Sequence, residues 1–152
     1  VCKYEEGDIV EIPLPDGRIA IGWILHISKR FKNAVGFVVL AIKGSRLEDV
    51  IYDNDIGIVR SLKVLGPLYT HFDNLALTGW KTFAHQPISD EKRQWTRRQV
   101  GGGVYVGDDY VGSAAELGER DLRHMLVMGI PVVYKEIEKT FGEATAENES
   151  KT

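Results

Sequence analysis

The strict alternation of side chains over residues 19–27 constrains this chain more than any other feature. Ile19, Ile21, Trp23, Leu25 and Ile27 fall on one face, and Ala20, Gly22, His26 and Ser28 fall on the other, interrupted only by Ile24. A period of two is the signature of a strand. Residues 8–12 read as the strand before it, and Pro13-Leu14-Pro15-Asp16-Gly17 lies between the two. Asp and Gly both tolerate positive φ, so the pair predicts a tight β-hairpin. Residues 35–42 are apolar on both faces, which predicts a central strand covered on both sides. Glycine inside a strand marks a bend or a close backbone approach. With Gly22 and Gly36 so placed, the expected sheet is strongly curved and mostly antiparallel, a half-barrel.

Further along, the apolar runs at 58–65, 68–72, 75–83 and 95–100 read as strands, the first ended by Gly66-Pro67. Residues 85–92 read as a loop, and 104–106 with 110–111 read as a hairpin around Gly107-Asp108-Asp109. The pattern changes at Ser113. Ser113 followed by Glu116 fits a capping box, and Leu122, Met125 and Leu126 recur at helical spacing. Pro131 stands near the start of a last helix whose Val133, Ile137 and Phe141 form one stripe, ended by Gly142. Strands first and helices last define an α+β fold. A length of 152 residues suits one domain, expected over 1–142, with 143–152 as a polar tail lacking large apolar residues.

Composition excludes several classes. The hydrophobic fraction of 43% and charged fraction of 27% are those of a globular protein rather than a disordered one. No apolar run approaches the roughly 20 residues that span a bilayer, and the N-terminus lacks a basic-then-apolar leader, so a cytoplasmic location is expected. Cys2 is the single cysteine, which rules out an intramolecular disulfide. A net charge of −3 argues against general nucleic-acid binding, which needs a basic footprint.

Convergent catalytic groups are not legible. His26, His71, His85 and His124 form no HxH or HExxH pair, and no cysteines assist them, so neither a metal site nor a cofactor is expected. His71 with Asp73 belongs to a polar turn on this reading. Gly101-Gly102-Gly103 leads into a strand without the lysine and helix of a phosphate loop, and reads as a turn. Two charged stretches remain. Lys92, Arg93, Arg97 and Arg98 flank Trp95, a combination that could stack a base and contact the phosphates of a single strand. The acidic stretch with Glu48, Asp49, Asp53 and Asp55 beside Tyr52 could instead imitate a phosphate backbone and enter a basic cleft.

The opening segment, Gly7-Asp8-Ile9-Val10-Glu11-Ile12-Pro13-Leu14-Pro15-Asp16-Gly17-Arg18 followed by Ala20, Gly22 and Trp23, resembles the start of the immunity protein 26 family. The likeness is tight over about twenty residues and loose around Gly66-Pro67-Leu68 and Gly103-Val104-Tyr105. It implies a non-enzymatic protein without a cofactor that binds and neutralises a cognate bacterial toxin, a nuclease among the options. The acidic stretch, Glu48, Asp49, Tyr52, Asp53 and Asp55, is then the expected toxin-binding surface. The alternative is a single-stranded nucleic-acid module built on Trp95, Arg97 and Arg98.

Overall fold

The computed structural model describes residues 3–31 and 33–142, so Cys2 and the expected polar tail at 143–152 lie outside the described residues. Strand β1 (Asp8–Pro13) and strand β2 (Ile19–Ile27) pair antiparallel across the Asp16-Gly17 turn, where Gly17 has φ +91°. Strand β3 (Ala34–Ile42) follows, and every one of its nine residues is buried. After a 3-10 turn come a short hairpin, β4 (Val50–Asp53) and β5 (Ile58–Ser61), then β6 (Leu65–His71), helix α1 (Phe72–Ala76) and β7 (Lys81–His85). Helix α2 (Asp90–Arg93) precedes β8 (Arg98–Val100), β9 (Gly103–Val106) and β10 (Asp109–Ser113), and helices α3 (Ala114–Leu117) and α4 (Ile130–Phe141) complete the fold.

The main sheet runs β6-β3-β2-β1-β7, all antiparallel, beside a three-stranded sheet β10-β9-β8 and the two-stranded β4-β5. The fold is α+β with an open antiparallel sheet, as the pattern of strands before helices predicts. Register shifts interrupt the β1–β7, β2–β3 and β3–β6 ladders. Each inserted residue bends the strand and reverses the alternation beyond it. For this reason Ile21, Trp23 and Leu25 belong to one core while Ile27, past the shift at Ile24/His26, packs against the other.

Both faces of the sheet are covered. On one, Val10, Ile12, Ile24, Phe37 and Val39 meet Val133 and Ile137 of α4 and Leu75 of α1. On the other, Ile9, Trp23, Leu25, Val38 and Leu40 meet Ile56, from the turn of the β4–β5 hairpin, with Ile58, Ile88 and Trp95 packed at the margin. A two-faced core explains why β3 reads as uninterrupted apolar sequence.

Several expected boundaries move. The run 58–65 is two elements, and Gly66-Pro67 does not end a strand but lies within β6. The proline is tolerated because β6 is an edge strand of the sheet and Pro67 falls where its ladder with β3 shifts register. Residues 75–83 divide between α1, capped by the His71 side chain, and β7, and 85–92 contain the start of α2, capped by Ser89. Residues 94–96 form a 3-10 turn ahead of β8. The Ser113 cap accepts from the Glu116 amide as expected, but Gly118 adopts φ +68° and stops α3 after one turn. Residues 122–126 therefore run extended, with Met125 donating to the Gln99 carbonyl at 2.7 Å instead of forming a helix.

Gly36 shows why glycine is required mid-strand. A Cβ there would lie 2.6–2.8 Å from three atoms of the Tyr69 side chain on β6. Gly36→Ala is accordingly expected to cost about 1–3 kcal/mol through overpacking, read as a lower urea midpoint; an unchanged midpoint would show that Tyr69 has room to move.

Candidate functional site

The acidic stretch is not a loop. Its residues form the 3-10 turn at Leu47–Asp49 and the β4–β5 hairpin, with Val50↔Ser61, Ile51↔Arg60, Tyr52↔Val59 and Asp53↔Ile58 as cross-strand partners. A two-stranded ribbon has an inner and an outer face, and the period of two sends neighbours to opposite sides. The five expected contact residues are thereby separated.

Asp53 faces inward and is 7% exposed. One carboxylate oxygen accepts from Arg60 Nε at 2.7 Å and lies 3.1 Å from Lys92 Nζ of α2. The other accepts the Asp55 and Ile56 amides at 3.0 and 3.3 Å. Burial pushes its pKa up, but the Arg60 and Lys92 hydrogen bonds and the Ile56 amide outweigh it, and the group is held below the ordinary carboxylate value. Asp55 accepts from Ser89 Oγ at 2.5 Å and lies 3.9 Å from Lys92 Nζ. Lys92 Nζ stands 4.7 Å from the centre of the Trp95 ring, which meets Trp23 edge-on at 6.2 Å. Asp53 and Asp55 thus fasten the hairpin to α2 and the core beneath it. Asp53, expected at a partner contact, is buried and pairs its carboxylate inside the fold, as a buried charge must be paired.

Glu48, Asp49 and Tyr52 are exposed, Tyr52 at 59%. Glu48 has a loose ion pair with Arg46 at 3.9 Å. On the outer face Tyr52 stands directly opposite Val59, 51% exposed, with Leu47 and Leu62 open at the base of the ribbon. Sequence reading found the acids and the tyrosine but missed Val59 and Leu62, which it assigned to a single strand. The signal that could have found them is the Asp55-Ile56-Gly57 turn between two short β-prone runs.

The basic cluster is engaged within the fold. Arg97 makes a two-pronged contact with Glu119, which raises its pKa. Arg93 lies 3.8 Å from Glu6. Arg98 is fully buried, donates to the Thr96 and Gly107 carbonyls at 3.1 and 2.7 Å, and stacks over Tyr69 at 4.6 Å. His71 accepts the Asp73 amide as a helix cap, in keeping with a polar turn, and the glycine run turns between β8 and β9.

A second polar centre was not legible in the sequence. His26 Nδ1 lies 2.7 Å from the Tyr69 hydroxyl and its Nε2 2.9 Å from Asp108. Asp108 also accepts from Ser28 Oγ and from the Lys29 and Arg30 amides. Burial lowers the His26 pKa, opposed by Asp108 and reinforced by Arg98, while burial pushes that of Tyr69 up. These groups clasp the β8–β10 sheet to the β2–β3 turn. His26 and Tyr69 are nearly inaccessible and brace the two sheets from within.

Compared with protein-family models, curated proteins and solved structures, the chain has no match in any of the three. Among the described residues, no helix is long and apolar enough to cross a membrane.

Proposed function

We propose that the protein is an immunity protein, a stoichiometric inhibitor that binds a toxin through the outer face of the β4–β5 hairpin. The observation that carries this reading is the hairpin's division of labour. Its inner face is locked by Asp53, Arg60 and Lys92, while its outer face presents Tyr52 and Val59 with Leu47 and Leu62 beside them. A pre-ordered ribbon loses little conformational freedom on binding. An exposed tyrosine among aliphatic side chains is the composition of an interface anchor, and the neighbouring Glu48 and Asp49 favour a partner with a basic surface. The likeness of residues 7–23 to immunity protein 26 supports the same class, and a toxin with nuclease activity is the first partner to test. A stable complex needs roughly 1,200–2,000 Å² of total buried surface, so the hairpin would be its centre rather than its whole.

The test is co-expression with the toxin encoded beside the gene. A co-purifying complex and restored growth are expected. Tyr52→Ala should weaken binding by at least about tenfold, the cost of an interface anchor. Glu48→Lys with Asp49→Lys should slow association more at low salt than at high salt. Failure to form a complex overturns the inhibitor reading. A complex untouched by both variants, each folded by circular dichroism, moves the interface off the hairpin.

A further inference from the structure

Three potential metal donors converge away from the hairpin: the Glu5 carboxylate, the Asp8 carboxylate at the start of β1 and the His85 imidazole at the end of β7. One ligand atom from each lies within 4.8 Å of the others. Asp8 and His85 are direct cross-strand partners, with Asp8 Oδ1 3.0 Å from His85 Nδ1. Adjacent ligands of an octahedral ion with bonds of about 2.1 Å stand about 3 Å apart, so this pair has the spacing of two neighbouring ligands. The turn before β1 sets the third donor. The Asp8 amide donates to the Glu5 carbonyl at 3.1 Å, and the Glu5 amide donates to Asp8 Oδ2 at 2.9 Å, which folds residue 5 back over residue 8.

One further feature favours a cation here over a simple His–Asp contact, and another limits how far the imidazole can move. Among the described residues, neither Glu5 nor Asp8 pairs with a lysine or arginine, so the two carboxylates have the His85 imidazole as their basic neighbour. The imidazole is also held in place. Gly7, at φ +101°, lies so close to the ring that a Cβ there would be 2.8 Å from His85 Cε1, and its carbonyl is held by Trp23 Nε1 at 3.1 Å. With the ring edge against Gly7, Nδ1 stays beside Asp8, and a bound ion would replace the proton now shared between Nδ1 and Asp8 Oδ1.

We infer that Glu5, Asp8 and His85 form a three-ligand site for a divalent first-row transition cation. One borderline nitrogen and two hard oxygens suit Mn²⁺, Fe²⁺, Co²⁺ or Zn²⁺ better than Ca²⁺, which takes oxygen ligands, or a thiophilic ion. Glu5 and His85 are exposed, so the remaining coordination positions face solvent and would hold water. The ion would tie the chain ahead of β1 to edge strand β7, across the ladder that already joins them.

Tag-free protein titrated with Zn²⁺ and with Mn²⁺ by calorimetry should show one saturable site per chain. Mn²⁺ should broaden amide resonances of residues 5–8 and 84–86 before any others, and Co²⁺ should develop visible d–d absorption. His85→Gln should abolish the site. Glu5→Gln should weaken it by about tenfold or more, on the scale of losses at metal sites, without endangering the fold, because the Glu5 side chain makes no hydrogen bond or ion pair among the described residues. His71→Gln, at the other exposed His–Asp pair, should change nothing. No saturable binding at millimolar metal overturns the inference, as does binding that Glu5→Gln and His85→Gln leave intact.

Discussion

Asp53→Ala is expected to destabilise the protein by about 3–5 kcal/mol, the cost of removing one partner from a buried ion pair. The change leaves Lys92 Nζ, 7% exposed, with only the more distant Asp55 carboxylate at 3.9 Å, and strips the Asp55 and Ile56 amides of their acceptor. Ile56 anchors the hairpin in the second core, so the loss spreads from a charge to packing. Urea denaturation followed by the emission of the three tryptophans gives the measurement. A cost below about 1 kcal/mol, the value of an exposed pair, would show that the hairpin does not depend on this network. Adding Lys92→Met should return much of the stability, because an apolar group of similar volume removes the stranded charge. The pH dependence has a definite sign. The folded-state pKa of Asp53 lies below its unfolded value, so its contribution is complete above about pH 4. It is lost as pH falls through the folded value. Charge reversal at Asp53 would therefore unfold the hairpin rather than report on an interface, which is why the binding test uses Glu48, Asp49 and Tyr52.

Asp108→Ala should cost about 3 kcal/mol. It removes the acceptor for Ser28 Oγ and the partner of His26 Nε2, both on buried side chains, at about 1–3 kcal/mol for each group left unsatisfied. It also frees the Lys29 and Arg30 amides and takes away a carboxylate that favours the charge of buried Arg98. The β8–β10 sheet should then detach first, seen as faster amide exchange in residues 98–113 than in β3. Uniform exchange across the two sheets would refute the clasp. Acid acts on the same centre. The Asp108 pKa is depressed because the Ser28, Lys29, His26 and Arg30 contacts outweigh burial, and that of His26 is lowered chiefly by burial. For both, the unfolded state binds more protons in the window between the two values, so stability falls with pH. For His26 the decline begins near its unfolded value of about 6.5. Arg98 further disfavours protonation of His26 and Glu6 favours it, while the Tyr69 hydroxyl is hydrogen-bonded to Nδ1. In Asp108→Ala, the acid side of the stability profile loses the Asp108 component.

The sequence makes the local, repetitive features legible. The Asp16-Gly17 hairpin, the strands β1 to β3, the β9–β10 hairpin and the α4 stripe of Val133, Ile137 and Phe141 all follow from period and turn chemistry within a dozen residues. Short or punctuated elements are harder to read. Residues 75–83 and 122–126 have strand-like or helix-like spacing, but a His71 cap and the positive φ of Gly118 decide otherwise. The candidate site was half legible: acids and a tyrosine marked the region, but not which side chains face out.

That choice depends on tertiary structure. Asp53 and Asp55 are sequence neighbours of Tyr52, yet Lys92 and Ser89, more than thirty residues away, draw the two acids inward. His26, Tyr69 and Asp108, and likewise Asp8 and His85, meet only because sheet register places them side by side. Hydrophobic period is a property of one segment and survives in the sequence alone. The pairing of charges across the fold depends on which segments become neighbours and on the desolvation that follows, and no single segment encodes it.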